Sequence, residues 1–427
     1  MLTHHVACTE AEAAPHRALV VRAYDEARAG GWPFLSDVLE GPLRGLGEED
    51  RAIVAGAVHA LVKYDRRLAF ACGSDASDAR YEALWSLVRG ETDLAPRLAR
   101  IESATERLGT TYSFPDWLVD LLRGELGEAA ESALARMNDL PPRVLRVNAL
   151  KTTREACADA LGREGVETTP TRSPHGLELL GRRSPFRTQA FARGDVEMQD
   201  EASQLVAELV APPPRSLAVD ACAGAGGKTL ALAALLEGRG KVVAVDSSAG
   251  KLEELRRRAR RAGASNVQAI RADLLDPRRG GLADPVKLEG PASRVLLDAP
   301  CTGLGAVRRN PEARWRLQPA DLPRLVAAQA ALLNAAIPMI SAKGRIVYAT
   351  CSFLPSEAEL AVEFFLQQHP DFAVVTARDV LGRARTEGLT TPDGKYLRTW
   401  RFAEPADGYA QGRMDGFFAA VLRRVSS

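Results

Sequence analysis

Leu217-Ala218-Val219-Asp220-Ala221-Cys222-Ala223-Gly224-Ala225-Gly226-Gly227-Lys228-Thr229 is a short apolar run that ends on an acid, turns on glycine and leads into residues that favour a helix. Strand, glycine-rich turn and helix in that order are the opening unit of a parallel α/β sheet. Downstream, apolar runs at Val242–Asp246, Val267–Arg271, Val295–Asp298 and Arg345–Ala349 alternate with helical stretches. That alternation predicts right-handed βαβ crossovers and a mostly parallel sheet from Ser216 to about Phe372. Gly416–Leu422 reads as a final strand.

Outward from this core the pattern changes twice. Between Ala18 and about Glu131 apolar residues recur three and four apart, as in Ile53, Val54, Ala57, Val58, Leu61 and Val62, which predicts five to seven helices. Breaks fall at Gly30-Gly31-Trp32-Pro33, Gly41-Pro42 and Ser113-Phe114-Pro115, and Asn138–Pro142 marks a boundary. From Arg143 to Asn148 residues alternate as a strand. Thr152 or Thr153 can then cap a helix to about Arg163, short strands are expected at Leu177–Leu180 and Asp195–Gln199, and a helix runs from Glu201 to Val210. Three parts are therefore expected: an all-helical domain over 1–140, a small α/β subdomain over 141–205, and the parallel-sheet domain over 206–427.

At 427 residues, with 46% hydrophobic and 26% charged residues, the composition is that of a globular protein of more than one domain. The net charge of +1 conceals a balance of −8 over residues 1–140 and +9 over the remainder. The basic C-terminal two-thirds fits a polyanionic partner. No run of eighteen apolar residues occurs and the N-terminus lacks a basic segment followed by an apolar one, so neither a membrane nor a secretory route is expected. Six scattered cysteines, without a C-x-x-C pair or metal-spaced histidines, predict reduced thiols in a cytoplasmic protein and no metal site. Cys8, Cys72 and Cys157 read as small buried hydrophobes, and Cys222 as packing under the glycine turn.

The glycine turn allows close backbone approach to a ligand at a helix N-terminus. Its tail, Gly226-Gly227-Lys228-Thr229, resembles a phosphate-binding loop, but Cys222 stands where that motif needs glycine. Asp246, ending the second strand twenty residues after Gly226, is spaced to accept from ribose hydroxyls, and Asp273 to bind an adenine amino group. NAD and S-adenosylmethionine both satisfy this much. The run Asp298-Ala299-Pro300-Cys301 is poor dehydrogenase chemistry but suits a pyrimidine. A thiolate adding to C6 of cytosine makes C5 an enamine carbon able to attack a sulfonium methyl, and loss of the C5 proton expels the thiol. Asp298 is placed to act at N3.

Four motifs in order, Asp220–Thr229, Asp298–Gly303, Arg308-Arg309-Asn310-Pro311-Glu312-Ala313-Arg314-Trp315 and Tyr348-Ala349-Thr350-Cys351-Ser352, resemble those of the RNA cytosine-5 methyltransferases, closest to the bacterial small-subunit ribosomal RNA methyltransferase B group. The resemblance runs from about Arg143 to Leu422. The helical N-terminal part is similar to the antitermination-factor-like domain of those enzymes. The resemblance implies a Rossmann-like class I S-adenosylmethionine methyltransferase domain acting on C5 of a cytidine in structured RNA, with 16S rRNA as the expected substrate. A transfer-RNA enzyme with the same core and a non-catalytic ribosome-assembly factor are the alternatives. It implies Cys351 as nucleophile and Cys301 as the thiol of product release. It also implies a cofactor pocket of Cys222, Ala223, Gly224, Ala225, Gly226, Gly227, Lys228, Asp246, Asp273 and Asp298.

Arg308, Arg309, Arg314 and Trp315, directly after the catalytic strand, are expected RNA contacts. Arg256–Arg261 reads as a solvated helix face, and Glu357 and Glu359 as acids opening a helix. A monomer is expected. Two departures from the family's pattern stand out: Gly224-Ala225 replaces its Ala-Pro before Gly-Gly-Lys, and Glu357-Ala358-Glu359 replaces its Glu-Asn-Glu.

Overall fold

The computed structural model describes residues 5–276, 288–402 and 413–425. The chain forms two compact units, one of Met1–Pro141 with Gly303–Leu322, the other of Pro142–Thr302 with Pro323–Ser427.

The first unit is helical. Its longer helices are α1 (Arg17–Ala29), α2 (Glu48–Cys72), α3 (Ser77–Arg89), α4 (Ala104–Tyr112) and α5 (Asp116–Leu126), with shorter turns between them. Glu48, Glu49 and Asp50 fill the first turn of α2, where the helix dipole favours acids, and Gly73 ends it at φ +62°. The periodic residues of the sequence pattern, Val54, Ala57, Val58 and Leu61 among them, are fully buried against α1 and α3. The segment Gly303–Leu322, which follows Cys301 and Thr302 in the chain, belongs to this unit and carries the short helix Ala313–Arg316.

The second unit holds two sheets. The smaller has the order β2 (Thr168–Pro170), β3 (Gly176–Leu179), β1 (Val144–Val147), β4 (Val196–Met198), all antiparallel. Against it lies α6 (Arg154–Arg163), capped by the Thr153 hydroxyl. β2 has no alternating apolar pattern and was not legible in the sequence. Asp200 then caps α7 (Glu201–Val210), which ends at Ala211 in a left-handed conformation before three prolines.

The large sheet runs β10 (Phe372–Val375), β12 (Phe418–Arg424), β9 (Ile340–Thr350), β8 (Ala292–Asp298), β5 (Leu217–Asp220), β6 (Lys241–Asp246), β7 (Val267–Arg271), with β11 (Leu397–Arg398) paired to β12. β5 to β9 are parallel, and β12 and β10 are antiparallel additions at one side. Both faces are covered. Ala218, Val242, Leu296 and Val347 enter one core, while Val219, Val243, Val295, Leu297 and Tyr348 enter the other. Double burial is why these strands read as unbroken apolar runs. Connecting helices include α8 (Gly227–Leu235), α9 (Ala249–Ala262), α10 (Asp321–Ala336) and α11 (Glu359–Gln368). Among the described residues one helical stretch, Asp321–Met339, is long and apolar enough to cross a membrane by composition. Leu325, Leu332 and Leu333 within it are buried core residues.

Candidate active site

β5, β6 and β8 deliver Asp220, Asp246 and Asp298 to one edge of the sheet, the carboxyl end where open α/β folds bind ligands. Between β5 and α8 the chain makes its glycine turn. Gly226 has φ +87°, and a Cβ there would lie 2.6 Å from the Leu255 Cγ of α9, so both conformation and packing require glycine. The turn closes on its own acid: Gly224 N donates to Asp246 Oδ2 at 2.9 Å, and Ser248 N to Asp246 Oδ1 at 2.8 Å. A cleft of about 560 Å³ opens over this edge. Cys222, Ala223, Gly224, Ala225, Gly227, Lys228, Asp246, Asp273 and Asp298 line it, joined by Met198, Gln199 and Ser203 from the neighbourhood of the small sheet.

The last two residues of the loop resembling a phosphate site are engaged elsewhere. Lys228 Nζ donates to Asp298 Oδ2 at 2.7 Å, and Thr229 Oγ1 to Asp220 Oδ2 at 2.7 Å. Burial disfavours the Lys228 ammonium. The Asp298 carboxylate beside it, with Cys351 and Asp220 adding, outweighs that and holds its pKa above the ordinary lysine value. Lys228 also sits 4.8 Å from the Phe417 ring centre. Burial pushes Asp220 up to about 7 against the pull of Thr229, with Asp298 and Asp246 adding. Burial also raises the Cys222 thiol, as do the three acids around it.

Next to Asp298 and Pro300 lie the two thiols. β8 and β9 are parallel neighbours with Asp298 paired to Ala349, so the chain leaving each strand passes the same point. Cys301 Sγ and Cys351 Sγ are 3.4 Å apart. The Cys301 thiol is held well above its ordinary pKa, first by sharing a hydrogen with Cys351, then by burial, with the charges of Cys351, Glu357 and Asp298 adding. The Cys301 thiol therefore retains its hydrogen.

The small sheet reaches the glycine turn from below. Arg146 of β1, almost fully buried, donates to the Gly227 carbonyl and to Gln199 Oε1. Arg258 of α9 donates to the Ala225 carbonyl at 2.9 Å, and Glu197 of β4 holds both Arg258 and Arg261. The run Arg256–Arg261 is thus divided. Arg256, Arg257 and Arg260 pair with Glu253 and Glu254 on a solvated face, as expected, whereas Arg258 and Arg261 are structural clamps. Helical periodicity alone does not show which arginines meet Glu197.

Two further expectations are corrected. Arg314 and Trp315 are not surface RNA contacts. Arg314 has no exposed surface, and its donors go to the carbonyls of Lys63, Ser113 and Met137 and to Asn138 Oδ1. Trp315 Nε1 donates to the Val62 carbonyl, and its ring lies 5.9 Å from that of Trp32. Arg308 is also buried, and Arg309 is half-buried beside His59 and Leu35. The hydrogen bonds of Arg314 and Trp315 serve the helical unit, reaching carbonyls at the Tyr64 kink of α2 and, for Arg314, just past two helix ends at Ser113 and Met137. Glu357 does not open a helix: it closes the 3₁₀ turn Pro355–Glu357 and is fully buried, whereas Glu359 does open α11 as its first residue and pairs with Arg398 at 2.6 Å.

Residues 207–423 match the family model described as 16S rRNA methyltransferase RsmB/F, and residues 114–184 match the ferredoxin-like domain of the same group. The chain belongs to this methyltransferase family. A protein of Synechocystis sp. called probable ribosomal RNA small subunit methyltransferase B is 39% identical over 321 residues, 74% of this chain and 68% of that protein. A Bacillus subtilis protein of the same name is 33% identical over 65% of this chain and 61% of its own length. The chain thus spans about two thirds of the length of the curated relatives it matches. The crystal structure of PH0851 superposes with a TM-score of 0.75 at 24% identity, covering 95% of this chain and 98% of that one. Parallel order, antiparallel additions and glycine turn together are the Rossmann-like class I fold of S-adenosylmethionine-dependent methyltransferases.

Proposed function

We propose that this chain is an S-adenosylmethionine-dependent methyltransferase that modifies C5 of a cytidine in structured RNA, with 16S rRNA as substrate, through a covalent bond between Cys351 and C6. The observation that carries the reading is the pair of thiols 3.4 Å apart beside an Asp298–Lys228 ion pair at the end of the cofactor cleft. The family's curated members, named for the small-subunit RNA, support the choice of substrate.

The cleft fits the cofactor by its acceptors and its space. Gly224 faces room in which a Cβ would meet nothing within 4 Å, and Asp220 Oδ1 is buried without a hydrogen-bond partner, a ready acceptor for an ammonium group. Asp246 suits ribose hydroxyls and the exposed Asp273 an adenine amino group. When bound, the cofactor supplies an electrophilic methyl group. The chain does the rest. Cys351 adds to C6 and loads C5 with electron density. Asp298 hydrogen-bonds the pyrimidine edge, and any proton it delivers to N3 crosses the 2.7 Å contact from Lys228. A base stacked in a duplex cannot present C6 to a thiol, so the target is unpaired or turned out of its helix. The protein acts as a cytoplasmic monomer in this reading. Bisulfite mapping of 16S rRNA and transfer RNA from a deletion strain tests it. A single unmethylated 16S cytidine is expected, and loss confined to transfer RNA refutes the substrate.

The clamp on the glycine turn has its own consequence. Glu197→Gln removes the charge that holds Arg258 against the Ala225 carbonyl. The expected result is a KM for S-adenosylmethionine raised roughly tenfold, from about 1.4 kcal/mol of lost positioning, with kcat within about twofold of wild type. A KM unchanged in titration calorimetry and kinetics shows that the turn holds its shape without the clamp.

A further inference from the structure

Glu357 has a carboxylate with no exposed surface, set between the chain segments that carry the two thiols. Oε1 accepts from Thr302 N at 2.8 Å and from Gln329 Nε2 at 3.0 Å, and Oε2 accepts from Thr302 Oγ1. Its backbone carbonyl accepts from Tyr348 Oη at 2.8 Å and Thr350 Oγ1 at 3.2 Å. Gln329 Nε2 also donates to the Pro300 carbonyl at 3.0 Å. The residues on both sides of Cys301, Pro300 and Thr302, are therefore held by one network. Through the Glu357 carbonyl, the side chains of Tyr348 and Thr350 in the strand before Cys351 join the same network. A buried carboxylate is costly unless hydrogen bonds replace its water, and here the replacements come from Thr302, next to Cys301, and from Gln329, which also holds the Pro300 carbonyl.

We propose that Glu357 is a positioning residue for product release, fixing Thr302 and hence Cys301 against the sulfur that leaves the base. The inference rests on the covalent reading given above. In the release step the C5 proton passes to water and the C5–H electron pair becomes the C5=C6 bond. The C6–S pair returns to Cys351, and the hydrogen of Cys301 moves onto that sulfur across the 3.4 Å contact. The hydrogen then moves back and restores the starting pair. A negative charge near Cys301 favours the protonated thiol this step requires, and Glu357 is among the charges acting on Cys301 in that direction. Addition needs none of this, because of the two thiols it uses only Cys351.

The experiment places Glu357→Gln, Thr302→Ala and Cys301→Ala beside the wild type, each folded by circular dichroism, with S-adenosylmethionine and substrate RNA on a denaturing gel. Glu357→Gln turns an acceptor into a donor facing Thr302 or Gln329, and Thr302→Ala removes only the hydroxyl contact if the first variant does not fold. The expected result for Glu357→Gln is a loss of turnover of about 100-fold, as for a misplacement near 1 Å, with protein–RNA adduct accumulating as in Cys301→Ala. Thr302→Ala should show a smaller loss with the same adduct. A merely structural role would lower adduct formation together with turnover. Adduct in Cys301→Ala but none in either of the other variants overturns the assignment of Glu357 alone. Adduct in none of the three overturns the covalent reading and the inference with it.

Discussion

Cys301→Ala is expected to leave protein and RNA joined. In this variant Cys351 still adds to C6 and C5 is still methylated, but the sulfur has lost the thiol neighbour whose Sγ lies 3.4 Å away. Release then depends on solvent. The adduct should withstand denaturing electrophoresis and migrate as a radiolabelled band when the methyl group carries the label. Cys351→Ala has the opposite signature. With no nucleophile, turnover should fall by roughly 10⁴-fold or more and no adduct should form. The asymmetry has a physical origin in the site. Cys301 is pressed towards its protonated form by the hydrogen it shares with Cys351, by burial and by Glu357. An adduct that appears with Cys351→Ala and is missing with Cys301→Ala reverses the two roles. Serine at 301 would not restore release fully, since a shorter oxygen cannot span the sulfur contact.

The second large effect is on stability and lies far from the chemistry. Arg314→Ala should destabilise the helical unit by about 3–5 kcal/mol, because truncation strands buried acceptors that nothing else can reach. The guanidinium donates to Asn138 Oδ1 at 2.7 Å and to the carbonyls of Lys63, Met137 and Ser113 at 3.2–3.3 Å, and lies 4.0 Å from the Phe114 ring centre. Burial lowers its pKa to about 9, and Tyr64 and Glu312 push back. For a unit of this size the loss corresponds to a fall in Tm on the order of 10 °C. Arg314→Lys should recover little, since one ammonium cannot serve a planar fork of acceptors. A melt within about 2 °C of wild type, with unchanged protease resistance of residues 1–141, contradicts the anchoring role. If Arg314 served RNA instead, the variant would melt normally and lose affinity.

The contrast between Arg314 and Cys351 marks how far local pattern reaches. Strands β5, β6, β8 and β9 were legible because both of their faces are buried, which writes an apolar run into the sequence, and because an acid or cysteine just past each run falls at the sheet's ligand edge. The glycine turn was legible because only glycine adopts φ +87° against Leu255. β10 pairs antiparallel with β12 across half a hundred residues, and its short, half-buried pattern carries no such signal. Asp246, Asp298 and Lys228, which line one cleft, were singled out by spacing and resemblance. The Lys228–Asp298 bond was not, since seventy residues separate its ends.

What the sequence by itself determined is the order of strands β5 to β9, the family and the place of two cysteines just past β8 and β9, all of which follow from backbone periodicity, turn stereochemistry and motifs a few residues long. Tertiary structure alone decided what the charged side chains are for. Arg314 meets Lys63 at a separation of 251 residues, Arg258 meets Glu197 across 61, and Glu357 meets Thr302 across 55. A charge in a sequence reads the same whether water or a buried carbonyl will satisfy it. Only the fold, by removing the water, decides which partner it must have.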